Sequence, residues 1–190
     1  MILRKAFESL SHQLEKNKRH IIQNHLNGLL KGKPIHQMVE ADIEELNFSH
    51  QHFGCVVATI DKYDEFSKKY EVEHQYYLKM LILNIAEQVI NSRYKCIGVN
   101  MDNGEIAFLV NVDANQTDEL HHGLEECFGK IQHEIAKVFD YTISVGMGNC
   151  YQDWGNIHLS YAEAMQALKM KLIKGHGSIN VWNNNEYRHG

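Results

Sequence analysis

The sequence is poor in the features that would identify its class at once. It has one proline, so it contains no proline-rich linker. None of its four cysteines belongs to a Cys-x-x-Cys pair, which leaves zinc and dithiol motifs unsupported and favours a reducing cytoplasm. No apolar run reaches the roughly 20 residues that cross a bilayer, so we expect no membrane contact by this chain. The net charge of -5, without a long basic cluster, argues against a nucleic-acid surface.

Thirteen histidines raise the question of a metal site. His121 and His122 precede Glu125 and Glu126 at a helical spacing that could share a metal ion. The catalytic zinc signature His-Glu-x-x-His is absent, and histidines scattered over the surface explain the count better. We therefore expect no metal site and no cofactor.

Apolar residues near the N-terminus recur at alternating spacings of four and three. This heptad pattern predicts a helix with one apolar stripe, and an asparagine within such a stripe can set the register of paired helices. We call this stripe the N-terminal seam, and its residues are Leu3, Phe7, Leu10, Leu14, Asn17 and Ile21. The seam would either pair with a second copy of the chain, as a homodimer, or lie on the chain's own folded domain.

Gly32 and Pro34 end this helix. A second short helix is expected after them, with four apolar residues on one face: Ile35, Val39, Ile43 and Leu46. We assign residues 1–50 to an N-terminal helical segment for linking and dimerisation, residues 51–184 to a folded domain, and residues 185–190 to a tail.

Strand and helix patterns alternate from Phe53 onward. Phe53 to Ile60 is almost continuously apolar, as in a central strand that is covered on both faces. The predicted order is strand, a helix in two pieces, strand, hairpin, strand, helix, strand, helix and strand, which implies an α/β sandwich with helices on a mixed sheet. The apolar residues that mark the three main helices are Leu78, Leu81, Ile82, Ile85 and Val89, then Leu120, Leu124, Phe128, Ile131 and Ile135, then Trp154, Ile157, Tyr161, Met165, Leu168 and Leu172.

The segment from Met101 to Val110 resembles the hairpin that names the GGDEF domains, the diguanylate cyclase family. The family pattern Gly-Gly-Asp/Glu-Glu-Phe aligns with Asp102, Asn103, Gly104, Glu105 and Ile106. The hairpin shape is kept, because Asn and Gly tolerate the positive φ of a tight primed turn. The order of elements from about Phe53 to Trp182 also matches the GGDEF fold, a relative of the adenylyl cyclase palm.

The resemblance indicates which catalytic groups are missing. Active members end the first strand with Asp-x-Asp-x-Phe-Lys, and the first Asp holds magnesium together with the hairpin carboxylate, because phosphoryl transfer needs hard oxygen ligands. Here Thr59 stands at the first place, whereas Asp61 and Tyr63 keep the second Asp and the aromatic residue. Gly104 replaces the hairpin carboxylate. With both carboxylates lost, we expect that the chain is not an enzyme.

The nucleotide-binding places implied by the resemblance are also altered. The guanine-reading Asn falls at Ser67, and the guanine-reading Asp falls at Gln75 or Tyr76. Three charged residues remain as candidates for ligand binding: Asp61, Glu105 and Lys169. Glu105 has the alternative of an ordinary solvated hairpin residue, and Lys169 that of an exposed helix residue.

Two further segments resemble one subgroup of this family. Ser160 to Lys169 reads Ser-Tyr-Ala-Glu-Ala-Met-Gln-Ala-Leu-Lys, and Asn24 to Gly32 reads Asn-His-Leu-Asn-Gly-Leu-Leu-Lys-Gly. They are similar to the GGDEF-like middle domains of AraC-type transcription regulators and two-component response regulators. In that subgroup the domain lies between an input domain and a helix-turn-helix pair. No helix-turn-helix pattern occurs here, so DNA would be contacted only through a domain absent from this chain.

The expected function is that of a non-catalytic, signal-transmitting domain of a bacterial AraC-type regulator. One alternative is a sensor that binds a nucleotide without turnover through Asp61, Glu105 and Lys169. The other is an active diguanylate cyclase, which Thr59 and Gly104 disfavour.

Overall fold

The computed structural model describes residues 1–34 and 44–184. Within these residues the helices are α1 (Ile2–Leu30), α2 (Tyr63–Lys69), α3 (Val72–Asn91), α4 (Leu120–Ala136), α5 (Ile157–Leu168) and α6 (Lys171–Lys174), with single 3-10 turns at Ala114–Gln116 and Trp154–Asn156. The strands are β1 (His52–Ile60), β2 (Lys95–Asn100), β3 (Glu105–Val112), β4 (Ile143–Met147), β5 (Tyr151–Gln152) and β6 (Ile179–Val181). None of these helices is long and apolar enough to cross a membrane.

The strands form one mixed sheet in the order β2-β3-β1-β4-β6, and β5 pairs with the start of β1. β4 and β6 run parallel, while the other neighbours are antiparallel. β1 lies in the centre, and every residue after His52 in this strand is buried. A strand buried over its whole length must be covered on both faces, which explains its unbroken apolar sequence. The predicted mixed sheet flanked by helices, with a helical N-terminal segment, is confirmed.

Successive residues of the central strands point into two separate cores. Val56 and Phe108 belong to the first core, which α3 and α4 cover. Val57 and Leu109 belong to the second core, which α1 and α5 cover. The residues that α1 contributes to this second core are Ile22, Leu26, Leu29 and Leu30. The last third of α1 is therefore part of the folded domain.

The helices after β1 and β3 largely follow the predictions. The helix after β1 is in two pieces, α2 and α3, as expected, and all five predicted apolar residues of α4 are buried. In α3 the buried face is rotated from the predicted one, because Leu81 is 41% exposed while Leu83 and Ala86 are buried. Four apolar residues follow one another from Met80 to Leu83, so spacing alone does not define the centre of the stripe.

The predicted last long helix is wrong at both ends. Trp154 lies in a separate 3-10 turn, and α5 ends at Leu168, the last residue of this helix that the core buries. Leu172, expected on the apolar face of the same helix, lies in α6 and is 83% exposed. Beyond it the chain turns back toward β6 at Gly175, whose φ is +93°. β5 was not predicted, because two residues are too few to show an alternating pattern.

Parts of two predictions lie outside the described residues. Of the second short helix, Ile35, Val39 and Ile43 are not described, whereas Leu46 is buried in the second core. The tail at 185–190 is likewise outside the described residues.

Helix α5 packs on β1 and β4 at the distance of backbone contact. A Cβ atom at Gly146 would overlap the carbonyl oxygen of Ala164 and lie 2.6 Å from the backbone nitrogen of Leu168. On β1, the Cys55 N–H donates a hydrogen bond of 2.8 Å to the hydroxyl of Ser160 on α5. The position of α5 over the sheet thus depends on the missing side chain at Gly146.

We predict opposite effects for two Gly→Ala substitutions. Gly146→Ala should lower the free energy of unfolding by about 3 kcal/mol or more, because α5 must move away from β4. Gly129→Ala should raise it by about 0.5–1 kcal/mol, because this glycine lies on the exposed side of α4 and its added methyl group meets nothing. Urea denaturation of both variants measures the difference. Equal stability of the two variants would contradict the close packing described here.

Candidate functional site

The candidate site lies where the end of β1 meets the β2–β3 hairpin. The hairpin turn has a φ of +52° at Asn103 and +76° at Gly104. The Glu105 N–H donates to the carbonyl oxygen of Asp102 at 3.0 Å, and the Met101 N–H donates to that of Glu105 at 3.0 Å. Positive φ at both central residues is the signature of the primed turn, so this prediction is confirmed.

The ring of Tyr63 covers Gly104. A Cβ atom at Gly104 would overlap Cδ2 of this ring and lie 2.8 Å from Cε2. Tyr63 begins α2, and its ring packs against Phe66 with 5.7 Å between ring centroids. The space that a side chain at position 104 needs is thus filled by the first residue of α2.

Asp61 is buried and joins three segments. Its Oδ1 accepts a hydrogen bond of 2.7 Å from the Ser144 hydroxyl on β4. Its Oδ2 accepts from the Thr142 hydroxyl at 2.6 Å and from the Gly177 N–H at 2.9 Å. Only 2% of Asp61 is exposed. We call this arrangement the Asp61 clamp, and both carboxylate oxygens are occupied within it.

Thr59 is buried on the second-core face of the sheet. It pairs with Glu105 on β3 and with Ser144 on β4, and residues paired in this way place their side chains on the same face. The two flanking positions are therefore a half-buried carboxylate and a serine that is engaged in the Asp61 clamp.

Gln75 fastens α3 to α2. Its Nε2 donates to the carbonyl oxygens of Ser67 at 3.0 Å and Tyr70 at 2.7 Å, and its Oε1 lies 3.4 Å from the hydroxyl of Tyr63. The Ser67 hydroxyl donates to the Asp64 carbonyl oxygen at 3.2 Å. Ser67 and Gln75, one of the two alternatives for the second guanine-reading position, are thus engaged in contacts within the chain, whereas Tyr76, the other alternative, is exposed.

Lys79 belongs to the site, although the sequence analysis missed it. It is buried, and its Nζ donates to the carbonyl oxygen of Met101 at 2.5 Å. Burial lowers the pKa of Lys79 to about 8, against the opposing effect of Asp102 and Glu105. Burial also raises the pKa of Glu105, and the positive charge of Lys79 partly offsets that rise. The available signal was its spacing of three residues before Ile82, on the buried face of α3.

The two lysines after α5 differ in position. Lys169 is exposed, and its Nζ donates to Oε1 of Gln166 at 3.0 Å. Lys171, which the sequence analysis did not single out, has its Nζ 4.0 Å from Oδ1 of Asp61. The structure therefore brings Asp61 close to Lys171, and it places Lys169 on the outer side of the helix.

The two histidines at the start of α4 point in different directions. His121 lies 2.8 Å from the carbonyl oxygen of Gly148, while His122 faces Glu126 at 3.4 Å on the solvent side. Within the described residues, no group of three or more histidine, cysteine, aspartate or glutamate side chains is arranged to hold a metal ion.

The N-terminal seam points away from the domain. Leu3 is 87% exposed and Phe7 is 72% exposed, and the other seam residues are exposed as well. The core face of α1, with Ile22 and Leu26, lies roughly 120° around the helix from the seam at about 100° per residue. The two faces are separate, so contact with the domain leaves the seam free.

We predict that Asp61 is a structural residue. Asp61→Ala should lower the free energy of unfolding by about 2–4 kcal/mol, because it removes the acceptor of two hydroxyl groups, one of them on the buried Ser144, and of the Gly177 N–H. Asp140→Ala is the control, because the Asp140 carboxylate is exposed and should contribute about 0.5 kcal/mol or less. Thermal and urea denaturation provide the comparison. Similar stability of the two variants would mean that the Asp61 clamp is not needed for folding.

Solved structures share this fold at low sequence identity. The active GGEEF domain of a diguanylate cyclase from Vibrio cholerae matches with 14% identity and a TM-score of 0.53, over 76% of this chain and 90% of that chain. An EAL/GGDEF domain protein from M. capsulatus matches with 11% identity and a TM-score of 0.56, over 74% and 93%. The coiled coil and GGDEF domain of DgcB from Caulobacter crescentus, in complex with c-di-GMP, matches with 14% identity and a TM-score of 0.51, over 95% and 100%.

The family assignment comes from sequence. No curated protein matches the chain. A family model described as GGDEF-like domain matches residues 38–170, which is more than half of the chain. The hairpin, the central strand β1 and the helices α2 to α5 lie within that range, whereas α1 and α6 lie outside it. The chain belongs to the family of GGDEF-like domains.

Proposed function

We propose that this GGDEF-like domain transmits a signal within a bacterial AraC-type transcription regulator and does not catalyse nucleotide chemistry. The observation that carries the proposal is the contact between Tyr63 and Gly104. At the place of the hairpin carboxylate the chain has no side chain, and an aromatic ring fills the space. Because the Tyr63 ring fills the space of the missing carboxylate side chain, a structural role is favoured for this hairpin.

Magnesium binding would be weak in this arrangement. Phosphoryl transfer needs carboxylate ligands that neutralise the charge of the reacting phosphates. Thr59 offers a neutral hydroxyl, and both oxygens of Asp61 are engaged in the clamp. Glu105 remains as the single carboxylate on the hairpin strand beside the cleft, and burial raises its pKa, which disfavours the charged form that a cation needs.

The alternative is a sensor that binds a nucleotide through Asp61, Glu105 and Lys169. The occupied oxygens of Asp61 and the outward position of Lys169 argue against it. The bonds that Gln75 makes to α2 also argue against guanine recognition, because a purine edge needs free donors and acceptors.

Signal transmission is supported by the shape of α1. Its last third is fixed in the domain core, while its seam remains exposed on a different face of the helix. A helix pair formed through the seam would therefore leave the domain contact intact. The DgcB structure carries a coiled coil together with its GGDEF domain, and a coiled coil in this chain would use the seam from Leu3 to Ile21.

The regulator context rests on the segments Asn24 to Gly32 and Ser160 to Lys169. Reading the gene beyond position 190 tests it directly. A helix-turn-helix pair downstream supports the AraC-type regulator, and a gene without one contradicts it.

We predict that the protein makes no cyclic dinucleotide. Incubation with GTP and magnesium or manganese should give no cyclic di-GMP above a control without protein, because the carboxylates expected at Thr59 and Gly104 are missing. The variant that restores both, Thr59→Asp with Gly104→Glu, should also be inactive, since Tyr63 and Gln75 are unchanged. Chromatography of the products, beside a known active cyclase, measures this. Cyclic di-GMP formed by the unmodified chain would refute the non-catalytic function.

We predict that the chain forms a dimer through the N-terminal seam. An isolated helix of this length is marginal in water, and the exposed apolar stripe gains stability by pairing. Phe7→Asp with Leu10→Asp places two charges in the seam and should give a monomer. The control, Ser9→Asp with Gln13→Asp, adds the same charge away from the seam and should remain dimeric.

Light scattering at high micromolar concentration measures the mass of all three proteins. An unmodified chain with the mass of a monomer would refute self-association through the seam.

A further inference from the structure

Strand β2 lies at the edge of the described sheet, with β3 as its neighbour. In an antiparallel edge strand, alternate residues direct their N–H and C=O groups away from the neighbour. In β2 these residues are Cys96, Gly98 and Asn100, which gives six outward backbone groups. An uncovered edge of this kind can pair with a strand of another chain, so the groups that cover it protect the sheet from such pairing.

Side chains from two helices bond to all six groups. From α3, Asn91 accepts from the Cys96 N–H at 2.9 Å and donates to the Cys96 carbonyl oxygen at 3.1 Å. Glu87, also on α3, accepts from the Gly98 N–H at 2.5 Å.

The other three groups are bonded by α1. Gln23 donates to the Gly98 carbonyl oxygen at 2.7 Å and accepts from the Asn100 N–H at 3.3 Å. Asn27 donates to the Asn100 carbonyl oxygen at 3.2 Å. We call these four residues, Gln23, Asn27, Glu87 and Asn91, the side-chain ladder.

Helix and strand geometry explain why the ladder fits. Residues four apart on a helix are about 6 Å apart along its axis, and residues two apart on a strand are about 6.6 Å apart. Gln23 and Asn27 are four apart on α1, and Gly98 and Asn100 are two apart on β2. One turn of helix thus matches one repeat of the strand edge. A further turn along α1, Lys31 bonds to Asp102 in the hairpin turn at 2.9 Å.

We propose that the side-chain ladder couples the pairing of α1 to the hairpin. The seam and the ladder are on the same continuous helix, so a rotation or shift of α1 in a helix pair moves Gln23 and Asn27 relative to β2. Hydrogen bonds weaken steeply with distance and angle, so small movements of α1 change the stability of the hairpin edge. This inference deepens the proposed signal transmission and rests on it.

Two amides on the same strand edge make a matched pair of reporters. The Asn100 N–H bonds to Gln23 on α1, whereas the Cys96 N–H bonds to Asn91 on α3. Amide hydrogen exchange followed by NMR measures each one separately. Coupling through the ladder should change the first and leave the second unchanged.

Helix pairing can be imposed by a disulfide at the seam. Leu14→Cys puts a thiol at an exposed seam position, while three of the natural cysteines are buried and Cys150 is partly buried. Oxidation then links two α1 helices, and reduction separates them. Because the link enforces pairing, the result does not depend on whether the natural chain is a dimer.

The expected result is that cross-linking slows exchange of the Asn100 N–H by about threefold or more, and changes that of Cys96 less than twofold. In a chain that also carries Gln23→Ala and Asn27→Ala, cross-linking should leave the exchange of the Asn100 N–H unchanged. The control carries Gln13→Ala and Asn24→Ala, two exposed amides of the same helix, and should respond like the parent.

Two results would overturn the inference. One is an Asn100 N–H whose exchange rate does not change on cross-linking. The other is a change in the Gln23→Ala, Asn27→Ala variant that is as large as the change in the parent. Rapid exchange of the Cys96 N–H would show that the double alanine variant is unfolded. In that case Gln23→Met is used instead, because methionine keeps the length of the side chain and removes both hydrogen bonds that Gln23 makes to β2. Failure of this test leaves the absence of catalysis standing, whereas formation of cyclic di-GMP would refute the proposed function independently of the ladder.

Discussion

The burial of β1 on both faces is the constraint from which the rest of the structure follows. A central strand without a polar face needs two layers of helices. α3 and α4 supply one layer, and α5 covers only part of the other. The second core is completed by Ile22, Leu26, Leu29 and Leu30 of α1. The last third of the N-terminal helix is thus a structural component of the domain. A partner helix bound to the exposed part of α1 would act on an element that the core already holds.

The residues around the β2–β3 hairpin that depart from the family pattern contact other parts of the chain. Gly104 leaves the space that the Tyr63 ring occupies, and Gln75 bonds to the backbone of α2. Asp61, kept from the family pattern, accepts three hydrogen bonds from two other segments of the chain. These positions therefore contribute contacts within the chain that stabilise the hairpin and the start of α2.

Much of the fold could be predicted from local sequence, because the spacing of apolar residues marks helices and strands and turn-forming residues mark the hairpin. The Asn103-Gly104 pair defined the turn, and the spacing from Leu120 to Ile135 defined the buried face of α4. The end of α5 could not be predicted, because Leu172 continues the apolar spacing but lies beyond the last buried position. Spacing records where apolar residues are, and tertiary packing decides which of them are covered.

The site was less predictable, because its contacts join distant segments. Gln23 and Asn27 are polar residues at helical spacing, a pattern that normally indicates a solvated face. Their partners on β2 are more than seventy residues away in the sequence. Lys79 was missed for a related reason, since its partner is a backbone carbonyl oxygen that no side-chain motif reveals.

We propose that the chain's own side chains, Tyr63 above all, fill the space in which a nucleotide would bind. Titration of the protein with GTP and magnesium, by calorimetry and by NMR of the amides of Thr59, Tyr63 and Glu105, tests it most directly. We expect no saturable heat and no concentration-dependent shift at these amides in the low-micromolar range. A dissociation constant of a few micromolar, about -8 kcal/mol of binding free energy, with shifts centred on these residues, would contradict it.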